Sequence, residues 1–210
     1  MTRFITLCAL VLLPLLAAPG VAHAQTEQQT LVDRATLAVQ ELFSDTTNPE
    51  PRSTLKRAKA VMVCPRVFKA GFIIGGQGGA CVLTANRGNG WSNPAFYGMG
   101  TGSIGLQIGV QDSQVVFIVL TEKGLNALMD SQFKIGADAS VAVATIGAGV
   151  SGATTAAFRA DILAFAQTRG LFAGVAIDGS LISQRSEWNQ AYYGAALAPQ
   201  QIVLEQQGNN

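Results

Sequence analysis

Histidine is almost absent from this sequence, which contains only His23 in 210 residues. That residue lies within an N-terminal stretch that has a basic start, an apolar run from Phe4 to Leu16 and a small-x-small site ending at Ala24. This pattern is typical of a cleaved secretory signal peptide, so we predict that residues 1–24 are removed, with a retained membrane anchor as the alternative. The mature chain would then have no histidine. Ser-His-Asp catalysis, Cys-His catalysis and histidine-containing metal sites are thereby excluded.

The sequence also lacks an excess of charge and a second long apolar run. Its formal net charge is +1 at pH 7, and the residues after position 24 include thirteen basic and thirteen acidic side chains. This balance argues against nucleic acid as a partner. No stretch after Gln25 is apolar for long enough to span a bilayer. We predict a single exported domain over residues 25–198, periplasmic, envelope-associated or secreted, followed by a flexible tail over 199–210.

Cysteine is scarce, and only Cys64 and Cys81 follow the predicted leader. In an oxidising envelope compartment, two cysteines can form one disulfide, and we predict that they do. Two buried thiols are the alternative. We expect no enzymatic activity, no metal ion and no cofactor, because no usual base exists for a catalytic cysteine and the aspartates are scattered along the chain.

Hydrophobic periodicity indicates two N-terminal helices. A capping-box pattern opens a helix over Thr26–Ser44, with one apolar face. A second helix is predicted from about Ser53 to Val63, ending before Pro65. The glycine cluster of Gly75–Gly79 then predicts a tight reversal between two short strands.

The rest of the chain reads mainly as strands of hairpin length. Strands are predicted at 103–111, 115–120, 135–146, 161–167, 170–177 and 180–183, helices at 122–129 and 187–193, and a loop at 147–155. Strands follow one another without regular β-α-β alternation. The predicted fold class is therefore α+β, a largely antiparallel, twisted sheet with two N-terminal helices and a few short helices.

One stretch of the chain carries charge of a single sign. Residues 52–69 hold six basic residues and no acidic one. These candidate binding residues are Arg52, Lys56, Arg57, Lys59, Arg66 and Lys69. A solvated helix face usually mixes both signs, so an anion-binding surface and an ordinary solvated face both remain open.

Three segments resemble the SYLF domain family, which includes bacterial exported forms and eukaryotic lipid- and actin-associated proteins. They are AKAVMVCPRVFKAGFIIGGQGGACVL (58–83), GSIGLQIGVQDSQVVFIVLTEKGLNALM (102–129) and DILAFAQTRGLFAGVAIDGSLIS (161–183). The resemblance implies an α+β body and, as in eukaryotic members, phosphatidylinositol binding through a basic surface. The residues that match this basic region are Lys56, Arg57, Lys59, Arg66 and Lys69.

These observations lead to two functional hypotheses. The first is a peripheral binding module for anionic phospholipid headgroups. The second is a structural or protein–protein interaction domain of the cell envelope, in which the basic stretch meets an acidic partner. An exposed apolar rim beside the basic residues would favour the first hypothesis, because membranes use such a rim and acidic protein partners do not require it.

Overall fold

The computed structural model describes residues 27–44, 50–146, 159–170 and 179–209. In chain order, the elements are α1 (Glu27–Ser44), α2 (Glu50–Leu55), β1 (Ala60–Ala85), β2 (Ala95–Val119), α3 (Glu122–Met129), β3 (Gln132–Lys134), β4 (Val141–Ile146), β5 (Ile162–Gly170), β6 (Leu181–Gln184), α4 (Ser186–Tyr193) and α5 (Pro199–Val203). The predicted leader, the predicted loop at 147–155 and residues 171–177 of a predicted strand lie outside the described residues.

A single curled sheet organises the fold. The strand order is β3-β6-β2-β5-β4, and β1 pairs with β2 along almost its whole length. The described pairings are antiparallel except that of β4 with β5. The described residues contribute six strands to this sheet. The predicted α+β class with a largely antiparallel sheet is therefore confirmed.

The two ends of β1 lie side by side. Cys64 and Cys81 form a disulfide with their α-carbons 4.1 Å apart, so the predicted pairing is present. Beyond the last residue of β1, the Asn86 amide donates to the Lys59 carbonyl at 2.7 Å. The pairing of β1 with β2 shifts register between Cys64 and Val67 and between Phe72 and Ile74.

The predicted glycine reversal at Gly75–Gly79 is wrong. Those residues continue β1 and stay paired with β2 from Gly75 opposite Ser103 to Gly79 opposite Met99. None of them adopts a positive φ. A β-carbon at Gly79 would lie only 2.3 Å from the Arg66 carbonyl oxygen, so glycine is required there for close approach of two backbones.

The predicted helix over Ser53–Val63 is also wrong, because α2 ends at Leu55 and β1 begins at Ala60. Side chains of β1 alternate between two separate cores. Met62 packs into the core inside the curled sheet, while Val61 packs under α1 on the outer face. A strand covered on both faces reads as a continuous apolar run, which sequence periodicity does not distinguish from a buried helix.

The other helices lie where their local sequence signals indicate, with one exception. In α1, the predicted apolar face is buried against the sheet. Predicted helices coincide with α3 and nearly with α4. The prediction of a flexible tail from residue 199 is wrong for α5, since Ile202 and Val203 are fully buried in the inner core.

Asp161 ties the start of α3 to the edge of the sheet. The hydroxyl groups of Thr121 and Ser140 each donate to its carboxylate at 2.8 Å, and the Lys123 ammonium lies 3.5 Å away. Burial opposes ionisation of this carboxyl, but the hydrogen bonds and the nearby ammonium outweigh it and lower the pKa of Asp161 to about 2.

This lowered pKa predicts a specific loss of stability in acid. The folded-state pKa lies below the ordinary value of 3.8, so the stabilisation is present above about pH 4 and is lost as pH falls towards 2. We expect Asp161→Asn to lower the free energy of unfolding at pH 7 and to flatten its decline between pH 4 and pH 2. Urea unfolding across this range measures both effects. The exposed Asp130→Asn is the control, and identical pH profiles for the two variants would contradict the prediction.

Candidate functional site

The six predicted basic residues do not form one patch. Arg52, Lys56, Arg57 and Lys59 lie in α2 or in the link to β1, whereas Arg66 and Lys69 lie along β1 itself. A strand advances about 3.3 Å per residue, so Lys59 and Arg66 are separated by roughly 23 Å of strand. Arg66 and Lys69 therefore lie well along β1 from Lys56 and Arg57.

Arg52 has a structural role, because it connects α2 to the end of α1. Its guanidinium donates two hydrogen bonds to the carbonyl oxygen of Phe43, in the last turn of α1. Carbonyl groups at the end of a helix lack intrahelical partners, and a basic side chain can satisfy them. This contact fixes α2 against the end of α1 and leaves less of the Arg52 charge available to a ligand.

Two further candidates are paired with carboxylates. The Lys59 ammonium lies 2.7 Å from Glu122, and the Arg66 guanidinium lies 2.8 Å from Asp112. All four side chains are substantially exposed, so each pair contributes little stability, but each partly neutralises its cation. Lys69 is half-buried opposite Gln111 in the β1–β2 ribbon.

Lys56 and Arg57 are exposed, and neither makes an ion pair with the part of the chain that the structure describes. A third exposed cation, Arg87, joins them from the turn between β1 and β2. That turn is held beside them because Asn86 donates through its backbone amide to Lys59 and through its side chain to the Ala58 carbonyl at 3.3 Å. We call Lys56, Arg57 and Arg87 the cationic corner.

Sequence reasoning missed Arg87 because thirty residues separate it from Arg57. The Arg87-Gly-Asn-Gly sequence predicts a turn, and Gly88 and Gly90 do adopt positive φ there. Nothing in that local signal indicates which other segment the turn lies against. The hydrogen bonds of Asn86 to Lys59 and Ala58 determine which segment the turn lies against. They form because β1 curls so that its two ends lie side by side.

An apolar groove opens beside the cationic corner. We call it the α1 groove: a cavity of about 340 Å³ between α1 and the outer face of the sheet. Val39 and Phe43 line it from α1, and Val82 lines it from β1. Leu55, directly before Lys56, and Trp91, which forms a β-bridge with Asn86, line it next to the corner.

Trp91 is the most conspicuous apolar side chain near these cations. It is 45% exposed although it is large and aromatic. An indole combines an apolar body with a polar N–H, which suits it to the boundary between water and an apolar phase. An exposed apolar side chain of the kind that would favour a membrane ligand therefore lines the same groove as Leu55, which directly precedes Lys56 and Arg57.

A second, more polar groove lies around the other predicted cations. Its volume is about 670 Å³, and it is lined by Arg34, Arg66, Phe68 and Trp188 among others. Acidic side chains offset the positive charge of this groove, because Glu27 also lines it and Arg66 is already paired with the carboxylate of Asp112. The cationic corner and the α1 groove instead combine apolar surface with cations that have no ion pair among the described residues.

Among the described helices, none is long and apolar enough to cross a membrane. Within the same residues, no cluster of three or more cysteine, histidine or acidic side chains is arranged to hold a metal ion. The candidate site consists of cations, an exposed indole and an apolar groove.

Comparison with known proteins places the fold in a family. A family profile described as "Ysc84: Las17-binding protein actin regulator" matches residues 100–210, about half of the chain. LAS seventeen-binding protein 3 of Saccharomyces cerevisiae is 32% identical over 148 residues, which are 69% of this chain and 32% of the yeast protein. The human SH3 domain-containing YSC84-like protein 1 is 30% identical over 145 residues, which are 68% of this chain and 42% of the human protein.

These matches thus span between about a third and two fifths of the relatives' length. The family profile covers the chain from β2 to its end, and so includes most of the curled sheet. The resemblance predicted from the three sequence segments is confirmed. This chain belongs to the Ysc84 family, whose shared unit is the SYLF domain.

Proposed function

We propose that this protein is a non-enzymatic module that binds peripherally to anionic phospholipid surfaces through the cationic corner. One observation carries the proposal: Lys56 and Arg57 are exposed without a carboxylate partner among the described residues, and they directly follow Leu55, which lines the same groove as the exposed Trp91. Each cation held at an anionic membrane surface contributes on the order of 1 kcal/mol. An indole at the same surface adds apolar contact and makes the binding more than electrostatic.

The proposal includes export to the cell envelope, where anionic phospholipid surfaces are present. Three cations give weak, reversible binding, because their attraction fades within a Debye length of about 8 Å at physiological salt. We therefore expect the affinity to fall steeply as salt increases. Binding to neutral vesicles should be slight, since the indole alone offers little apolar area.

A double charge reversal tests this surface. We expect Lys56→Glu with Arg57→Glu to weaken binding to phosphatidylglycerol-containing vesicles by about 30-fold or more, as two contributions of about 1 kcal/mol are lost and repulsion is added. Co-sedimentation with vesicles of phosphatidylglycerol and phosphatidylcholine measures the change. Both side chains are exposed, so far-UV circular dichroism should remain that of the wild type.

Lys69→Glu with Lys134→Glu is the matched control. It changes the net charge by the same amount, at positions on β1 and β3 that are not part of the cationic corner. Retained binding in this control, together with loss in the first variant, supports the proposal. An equal loss in both variants would show that the lipid surface lies elsewhere.

A protein partner is the second candidate function, and the relatives' names favour it. The yeast relative is named for binding LAS seventeen, and the family description includes actin regulation. In this protein, an acidic partner would meet the same cations. Trp91→Ala separates the two functions, because it should weaken vesicle binding at every salt concentration, whereas purely ionic docking of an acidic protein would not need the indole.

A further inference from the structure

The α1 groove is lined mainly by apolar side chains, and binding to a membrane surface through the cationic corner does not require such a groove. It is closed on one side by Val39 and Phe43 of α1 and on the other by Val61 and Val82 of β1, and its surface is overwhelmingly apolar. Bilayer adsorption through exposed cations and an indole requires no such internal space. A groove of this kind between a helix and a sheet suits an elongated apolar ligand.

The charged residues near the groove restrict the class of ligand further. Leu55 lines the groove and is followed directly by Lys56 and Arg57, while Trp91 lines it and is bridged to Asn86, the neighbour of Arg87. A ligand lying in the groove would therefore have one end near the two segments that carry these three cations, which have no ion pair among the described residues. An acyl chain with an anionic head has this complementary pattern of apolar and charged parts.

We propose that the α1 groove binds one acyl chain of an anionic phospholipid while the cationic corner holds its phosphate. The inference rests on the proposed function and deepens it, since the protein then binds an individual lipid molecule as well as a surface. Trp91 stands between the two parts of the ligand, with one side in the groove and 45% of its surface exposed.

A soluble, single-chain lipid tests the groove without a bilayer. The probe is lauroyl lysophosphatidylglycerol below its micelle-forming concentration, compared with glycerol 3-phosphate and with lauroyl lysophosphatidylcholine. We expect saturable 1:1 binding of the first by titration calorimetry, and at least tenfold weaker binding of the other two. In a Trp188→Phe background Trp91 is the sole tryptophan, and its emission should shift to the blue on binding.

Two variants and one control assign this binding to the groove. Val39→Glu places a charge in the groove and Thr84→Phe fills it, so each should weaken binding of the lysolipid at least tenfold. Leu37→Glu makes the same kind of change two residues away on α1, where the side chain is 63% exposed, and should bind normally. Thermal melting of all three variants shows whether the fold is retained.

The outcomes separate this inference from the proposed function. Loss in Val39→Glu and Thr84→Phe with retention in Leu37→Glu supports an acyl chain in the groove. Equal affinity for glycerol 3-phosphate and the lysolipid, or unchanged binding in Thr84→Phe, overturns it. If anionic vesicles bind but the lysolipid does not, the groove inference fails and surface binding stands. If neither binds, both fail.

Discussion

Replacing Gly79 with alanine will lower the free energy of unfolding by about 2 to 3 kcal/mol, because the new β-carbon has no space. It would lie 2.3 Å from the carbonyl oxygen of Arg66 and 3.3 Å from the α-carbon of Val67. Both contacts are with backbone, which cannot rotate away as a flexible side chain can. The Cys64–Cys81 disulfide lies two residues from Arg66 along one segment and two residues from Gly79 along the other, and it limits how far the two segments can separate.

Gly76→Ala is the matched control in the same strand. A β-carbon at Gly76 would meet only the Thr101 carbonyl oxygen at 3.6 Å, which is an ordinary van der Waals contact. Alanine also reduces the entropy of the unfolded chain, so the change should be neutral or slightly stabilising. Urea unfolding of the two variants gives the comparison. Equal stabilities would show that the two ends of β1 do not approach each other as closely as the structure indicates.

Gly79 also explains where sequence reasoning about the fold failed. A glycine cluster predicts either a turn or a close approach, and the choice between them depends on a neighbour that is distant in sequence. Here the neighbour is Arg66, brought back by the curling of a long ribbon. Helices α1, α3 and α4 were predictable because their signals are local: apolar spacing in α1 and a hydroxyl cap at Thr121.

The candidate site shows the same difference between features with a local sequence signal and features that depend on residues distant in sequence. A run of basic residues is visible in the sequence, and it includes Lys56 and Arg57. The sequence could not show that Lys59 would pair with Glu122 or that Arg52 would bind the end of α1. Nor could the sequence add Arg87, since its position in the corner depends on the two ends of β1 lying side by side. Which charges remain unpaired is a property of tertiary structure.

Removing the Cys64–Cys81 disulfide is expected to cost about 3 kcal/mol of stability. The two residues are separated by 17 positions, and closing a loop of this length restricts the unfolded chain by that amount in the chain-entropy model. Both residues are fully buried in the inner core, so alanine is a better replacement than serine, which would leave buried hydroxyl groups. For a domain of this size, the melting temperature should fall by about 6 to 12 °C.

Reductant supplies the control for this prediction. Dithiothreitol should lower the melting temperature of the wild type and leave that of Cys64→Ala/Cys81→Ala unchanged. Mass spectrometry showing two free thiols in the purified protein would contradict the disulfide directly. A melting temperature insensitive to reductant, despite complete reduction, would contradict its contribution to stability.

The disulfide should also couple energetically to Gly79. In the cross-linked protein, the backbone at Arg66 cannot retreat from a new β-carbon at residue 79, so the full steric cost is paid. Without the cross-link, the two segments can separate by a few tenths of an ångström, and part of the clash is relieved. We therefore expect Gly79→Ala to cost less in the Cys64→Ala/Cys81→Ala background than in the wild type, by about 1 kcal/mol. Strict additivity in this double-mutant cycle would show that the disulfide does not hold the two ends of β1 together.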